Sequence, residues 1–178
     1  MTPAPETATA AELRAARDRF IAQWGAMGTA WGINRTMAQI HALLLTATVP
    51  LTTDDIMESL IISRGNANTN QRDLIGWGLI RVVLRKGDRK EYFEAEKDVW
   101  KIFCTIARER QRREIDPALA VVRECAAQTA KLKGPEAEAF HGMMRSLSEF
   151  IGLSAGAMDK ISRSERSKIA PYLLKLMR

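Results

Sequence analysis

The stretch LTTDDIMESLIISRGNANTNQRDLIGWGLI holds two helix-start signals so close together that only one short helix and a tight turn fit between them. Thr52 can accept from a backbone amide in the turn that follows it, and Asp55 can answer in the manner of a capping box. Ser63 offers a second N-cap directly after Leu60, Ile61 and Ile62. This spacing predicts a helix-turn-helix. The second helix is expected to end at Gly76 to Gly78, with Ala67, the aliphatic stem of Gln71, Leu74 and Ile75 turned inward. LIRVVL and KEYFEA follow, both rich in β-branched and aromatic residues, and RKGDRK between them carries the Gly-Asp that a hairpin tip prefers. Helix, helix, helix, hairpin is the order of a winged helix-turn-helix, so the fold class expected is mainly α with a small β-hairpin wing.

Helices flank this core on both sides. From residue 11 to 31 the apolar residues Leu13, Phe20, Ile21, Trp24, Met27 and Trp31 recur at helical steps and form one stripe. Gly25 and Gly28 lie beside it, and a glycine inside a helix costs about 1 kcal/mol relative to Ala. Their presence predicts another helix approaching closely there. Gly32 suits a C-terminal cap, Asn34 can open the next helix, NRTMAQIHALLL, and Pro50 breaks the chain before the helix-turn-helix. Residues up to about Glu6 read as a disordered tail. After Glu96 the chain is helical again: KDVWKIFCTIARERQRREI, then DPALAVVRECAAQTAKL with Pro117 in a first turn. Gly134-Pro135 leads into EAEAFHGMMRSLSEFIGL, and a last helix starts at Ser164 or Pro171. The organisation expected is a tail and dimerisation helix over residues 1–33, a DNA-binding winged helix-turn-helix over 34–95, and a helical dimerisation region over 96–178.

The helix at Ser63 devotes its first half to Asn66, Asn68, Thr69, Asn70, Gln71 and Arg72, although Ala, Glu or Lys would make a sturdier helix. Asn, Gln and Arg are the side chains that pair with adenine and guanine edges in a major groove. Ser63, Arg64, Asn66, Asn68, Thr69 and Arg72 are therefore the expected contacts to bases and phosphates, against the plainer reading of a solvated polar face. Charge supports DNA as partner. The 178-residue chain carries +6 overall, and the segment 63–90 holds seven basic residues (Arg64, Arg72, Arg81, Arg85, Lys86, Arg89, Lys90) against Asp73 and Asp88. Arg85, Lys86 and Arg89 in the hairpin are expected to reach the phosphate backbone or minor groove.

Other features point to bland roles. Cys104 and Cys125 have no neighbouring His or Cys, so neither a disulfide framework nor a metal site is expected, and a reducing cytoplasm fits. The N-terminus lacks the pattern of a signal peptide, and no apolar run approaches the roughly 20 residues of a membrane span. Trp24, Trp31, Trp77 and Trp100 could form a cage for a cationic ligand, but Trp at helical spacing is more often core or interface. His41 and His141 read as structural, and the Met residues as fillers of irregular helix interfaces. No phosphate-binding loop, nucleophile elbow or paired carboxylates appear, so no enzyme and no cofactor are expected.

Three stretches carry a resemblance: WGAMGTAWGINRTMAQIHALLL, LTTDDIMESLIISRGNANTNQRDLIGWGLI and RKGDRKEYFEAEKDVWKI. They resemble the GbsR/MarR-type bacterial transcriptional regulators, in which SRGN with a downstream WGLI and a GDRKEYF wing is typical of the GbsR branch. The resemblance implies a repressor-like homodimer whose N- and C-terminal helices pair, holding two winged lobes over a pseudo-palindromic double-stranded DNA operator. It also implies a small-molecule effector as a further partner, choline-like in some relatives. The residues point to a dimer too. The stripes Phe20, Trp24, Met27, Trp31 and Trp100, Phe103, Ile106 and Leu147, Phe150, Leu153 exceed what one small domain can bury, and Trp24, Met27, Trp31 and Phe150 are the expected dimer contacts. The alternative is a winged helix used for protein contact or for nonspecific, architectural DNA binding.

Overall fold

A computed structural model describes residues 8–163, which divide between Lys97 and Asp98 into two compact units. The expected N-terminal tail and the last helix from Ser164 or Pro171 lie outside the described residues.

The first unit begins with α1 (Ala8–Ala30), which packs against α2 (Arg35–Thr46). The glycines make that approach possible. A Cβ at Gly28 would sit 2.6 Å from the Ala38 Cβ, and one at Gly25 would sit 2.7 Å from the Gln39 Cγ. Both are closer than carbon atoms can approach without one of them moving. The stripe on α1 is only partly buried: Ile21 is enclosed, Phe20, Trp24 and Met27 are half-buried, and Leu13 and Trp31 are exposed. Gly32 turns the chain with φ +74°, and the Asn34 side chain accepts from the amides of Thr36 and Met37.

Next come a two-residue strand β1 (Leu51–Thr52), α3 (Thr53–Leu60) and α4 (Arg64–Gly76). The capping box at the start of α3 is complete, with the Thr52 Oγ1 accepting from the Asp55 amide and the Asp55 carboxylate accepting from the Thr52 amide at 2.8 Å. The Thr52 hydroxyl holds the Asp55 carboxyl below its usual range, and the Thr52 amide adds to this. The turn between the helices passes through Ile61, at φ 53° and ψ 51°, a left-handed backbone that favours glycine, with its side chain 93% exposed. Strands β2 (Ile80–Leu84) and β3 (Glu91–Ala95) form the hairpin, and β1 pairs antiparallel with β3, giving the sheet order β1-β3-β2. With two residues, β1 is too short to show any alternation in sequence, and Thr52 serves it while also capping α3.

The inward face of α4 differs from the expected one. Ala67, Asn70, Gln71 and Leu74 are buried, following the i, i+3, i+4, i+7 spacing of one helical face, while Ile75 lies a further 100° round and is 40% exposed. Two amides thus occupy positions where apolar residues are usual. Ile40, Leu44, Ile56 and Leu74 fill the centre of this unit. Lys97 closes it: its ammonium donates to the carbonyls of Leu44 and Leu45 at 2.7 Å and of Ala47 at 2.9 Å. These are unsatisfied oxygens at the C-terminal end of α2, where the helix dipole also favours a cation.

The second unit is a helical hairpin. α5 (Val99–Arg110), capped by the Asp98 carboxylate, continues without a break through a π-helical turn (Gln111–Ile115) into α6 (Asp116–Thr129). Pro117 explains the widened turn, since it has no N–H to offer the carbonyl four residues back, and the Asp116 amide instead donates to Gln111, five residues back. α7 (Pro135–Ser162) then returns alongside α6 and runs well beyond the segment expected from sequence.

Candidate nucleic-acid interface

α4 turns most of its polar residues away from the core, although Asn70 and Gln71 face into it. Gly65, Asn66, Thr69, Arg72 and Asp73 are exposed and Asn68 is half-buried. The Ser63 Oγ accepts from the Asn66 amide at 3.3 Å, so Ser63 acts first as the N-cap of this helix. Unpaired amides at a helix N-terminus attract phosphate, so such an end suits a backbone contact. Arg64 forms an ion pair with Asp54 of α3. Both partners are largely exposed, and a pair of this kind is worth under about 1 kcal/mol, little enough to be exchanged for a phosphate. Asn66 is engaged on both sides, its Oδ1 accepting from Asn70 at 2.7 Å and its Nδ2 donating to the Thr36 hydroxyl at 3.4 Å. Among the described residues, the side chains of Asn68, Thr69 and Arg72 have no hydrogen-bond or ion-pair partner.

The wing carries more internal bonds than a charged loop needs. Gly87 supplies φ +84° at the tip, and the Asp88 amide donates to the Arg85 carbonyl at 3.1 Å. The Tyr92 hydroxyl donates to Asp88 Oδ2 at 2.7 Å, and the Lys90 amide donates to Asp88 Oδ1 at 2.9 Å. These bonds, Tyr92 foremost, hold the Asp88 carboxyl below the usual range, and the same carboxylate pushes the Tyr92 phenol up. The Arg85 guanidinium lies 3.9 Å from the centre of the Tyr92 ring. The one acid of the tip is thus engaged by Tyr92 and the Lys90 amide, while Lys86 and Arg89 are exposed with their side chains unpaired among the described residues. Sequence reading found the basic tip but missed Tyr92, whose role depends on an approach across the hairpin.

His41, on α2, is buried beside Trp24, with ring centroids 6.3 Å apart. Burial, reinforced by the charge of Lys97, lowers its pKa to about 4, so the ring is neutral at physiological pH. Of the expected dimer contacts, Trp24 and Met27 are half-buried, whereas Trp31 is 61% and Phe150 69% exposed. Among the described residues no helix is long and apolar enough to cross a membrane.

Known proteins resemble this chain in sequence and in overall fold. The HTH-type transcriptional repressor GbsR of Bacillus subtilis (strain 168) is 25% identical over 122 residues, covering 68% of this chain and 67% of that protein. The chain is a distant relative of a GbsR-type repressor. A crystal structure of a transcriptional regulator agrees in fold, with a TM-score of 0.53 at 17% identity, covering 82% of this chain and 99% of its own. No family model matches the chain. The resemblance to the GbsR/MarR type therefore rests on the GbsR relationship and on the winged helix.

Proposed function

We propose that this protein is a cytoplasmic transcriptional regulator, a repressor by its kinship with GbsR, that reads a double-stranded DNA operator as a homodimer. The observation that carries the reading is α4: a helix capped by Ser63, seated by Leu74 and Ala67, that turns Asn66, Thr69 and Arg72 outward in a strongly basic segment. Arg72 and Asn68 read bases, Ser63, Arg64 and Thr69 set the register on the backbone, and Arg85, Lys86 and Arg89 hold phosphates. The dimer is supported by the exposed stripe of Phe140, Met143, Leu147 and Phe150 on α7, whose three- and four-residue steps match a helix-pairing seam. A choline-like effector is the small molecule to try first, by asking whether it shifts operator affinity.

Selection from a randomised duplex pool, followed by titration of operator and scrambled DNA, tests the reading. Arg72→Ala is expected to weaken operator binding by about 1 to 3 kcal/mol while leaving scrambled DNA nearly unaffected. Neutralising Arg85, Lys86 and Arg89 together should weaken both duplexes alike and flatten the salt dependence by roughly 0.9 of a slope unit for each phosphate no longer neutralised. Equal losses on both duplexes for Arg72→Ala would assign the protein to nonspecific, architectural binding instead.

A further inference from the structure

The buried face of α4 contains a residue that can influence base reading without touching DNA. Asn70 is 3% exposed, and its Nδ2 donates both hydrogens to one residue, the main-chain oxygen of Asn66 at 2.8 Å and the Asn66 Oδ1 at 2.7 Å. Only one orientation of these two amides is chemically consistent. A backbone carbonyl can only accept, so the Asn70 amide must face it with nitrogen, because the flipped group would set two oxygens against each other. The second Nδ2 hydrogen then faces the Asn66 side chain, which must answer with oxygen. Its Nδ2 is left on the other side, with one hydrogen toward the Thr36 hydroxyl at 3.4 Å and one to spare.

We propose that Asn70 is a positioning residue that fixes Asn66 as a hydrogen-bond donor toward DNA, so that Asn66 selects against cytosine at the base it meets. This deepens the DNA-reading assignment above and rests on it. Recognition of adenine by asparagine normally needs oxygen and nitrogen side by side, the one accepting from N6 and the other donating to N7. Here the oxygen is held inward. What Asn66 presents can bond the acceptors of guanine, adenine or thymine, whereas cytosine shows only the N4 donor in the major groove, and two donors repel.

Selection from randomised duplexes with the full chain tests this, comparing wild type with Asn66→Ala, Asn66→Asp, Asn70→Leu and Asn70→Ser. Wild type should exclude cytosine about tenfold at one operator position, and Asn66→Ala should abolish that exclusion there alone. Asn66→Asp keeps an oxygen toward Asn70 and turns a second one outward, so it should invert the preference toward cytosine. Asn70→Leu frees the Asn66 amide to rotate and should relax the exclusion. Asn70→Ser covers the case in which leucine disturbs packing, since its hydroxyl reaches the Asn66 carbonyl but not its side chain. An unchanged base pattern in both Asn70 variants, with helicity intact, would overturn the proposal. So would a shift that Asn70→Ser still produces in the Asn66→Ala background, since Asn70 would then be moving the whole helix. If wild type enriches no sequence, the DNA-reading assignment falls, an outcome distinct from either of these.

Discussion

The two units differ in how far they enclose their apolar residues. In the first, Ile40, Leu44, Ile56 and Leu74 from three different helices are enclosed almost completely, and the helix ends around them are closed by Asn34, Thr52, Ser63 and Lys97. In the second, the buried set is Ile102, Cys104, Ala107, Leu119 and Ala155, while Val99, Phe103, Val121, Phe140, Met143, Phe150 and Leu153 remain exposed. One unit has a core of its own. The other leaves apolar surface beyond what its two-layer hairpin covers, and this surface is where the proposed dimer contact is best sought.

The sharpest way to break this contrast is to remove a central side chain from the first unit. Ile56→Ala is expected to destabilise the fold by about 2 to 5 kcal/mol, because the enclosed site cannot collapse onto the vacated volume. Chemical denaturation would show it, and a loss below about 1 kcal/mol would mean that the first unit is as loosely packed as the second. Acid should act on the same unit through His41. Its folded pKa of about 4 lies below the unfolded value of 6.5, so the unfolded chain takes up the proton first. The stabilising contribution is complete above about pH 6.5 and is lost as the pH falls toward 4, on the order of 3 kcal/mol in all. His41→Leu should flatten that part of the stability profile, and an unchanged slope would exclude His41 as its source.

The second unit should respond differently. Phe150→Ser removes an exposed ring, so the fold of a single chain should change by less than about 0.5 kcal/mol. The proposed dimer should weaken instead, seen as a shift toward monomer in sedimentation at micromolar concentration. A variant that unfolds while keeping its oligomeric state would reverse the roles assigned to the two units.

How much of this was legible in the sequence depended on how local the chemistry is. The caps at Asn34, Thr52 and Ser63 could be read directly, because a hydroxyl or amide and the amides it accepts from are a few residues apart. The glycine seam was legible for a similar reason, since Gly25 and Gly28 are unexplained inside a helix unless something approaches. Strand β1 was not, because two residues carry no period. The burial of Asn70 was hidden by its polarity, although its place between Ala67 and Leu74 was the available signal. Lys97 is separated by some fifty residues from the carbonyls it grips, and nothing in its neighbourhood announces the bond. The Arg85 and Tyr92 pair is of the same kind, a meeting that only the hairpin register creates.

The left-handed turn at Ile61 bears on how this protein could be engineered. That backbone costs a non-glycine residue about 1 to 2 kcal/mol, and here the side chain is nearly all in water and offsets little of it by packing. Glycine would relieve the strain but bring a freer unfolded chain, an offset of about 0.5 to 1 kcal/mol. Ile61→Gly should therefore raise the melting temperature by a few degrees at most, the reverse of what removing a large aliphatic group does in a core. A laboratory selection for heat resistance would find a gain at this turn of the helix-turn-helix, in a residue whose side chain lies almost wholly in water.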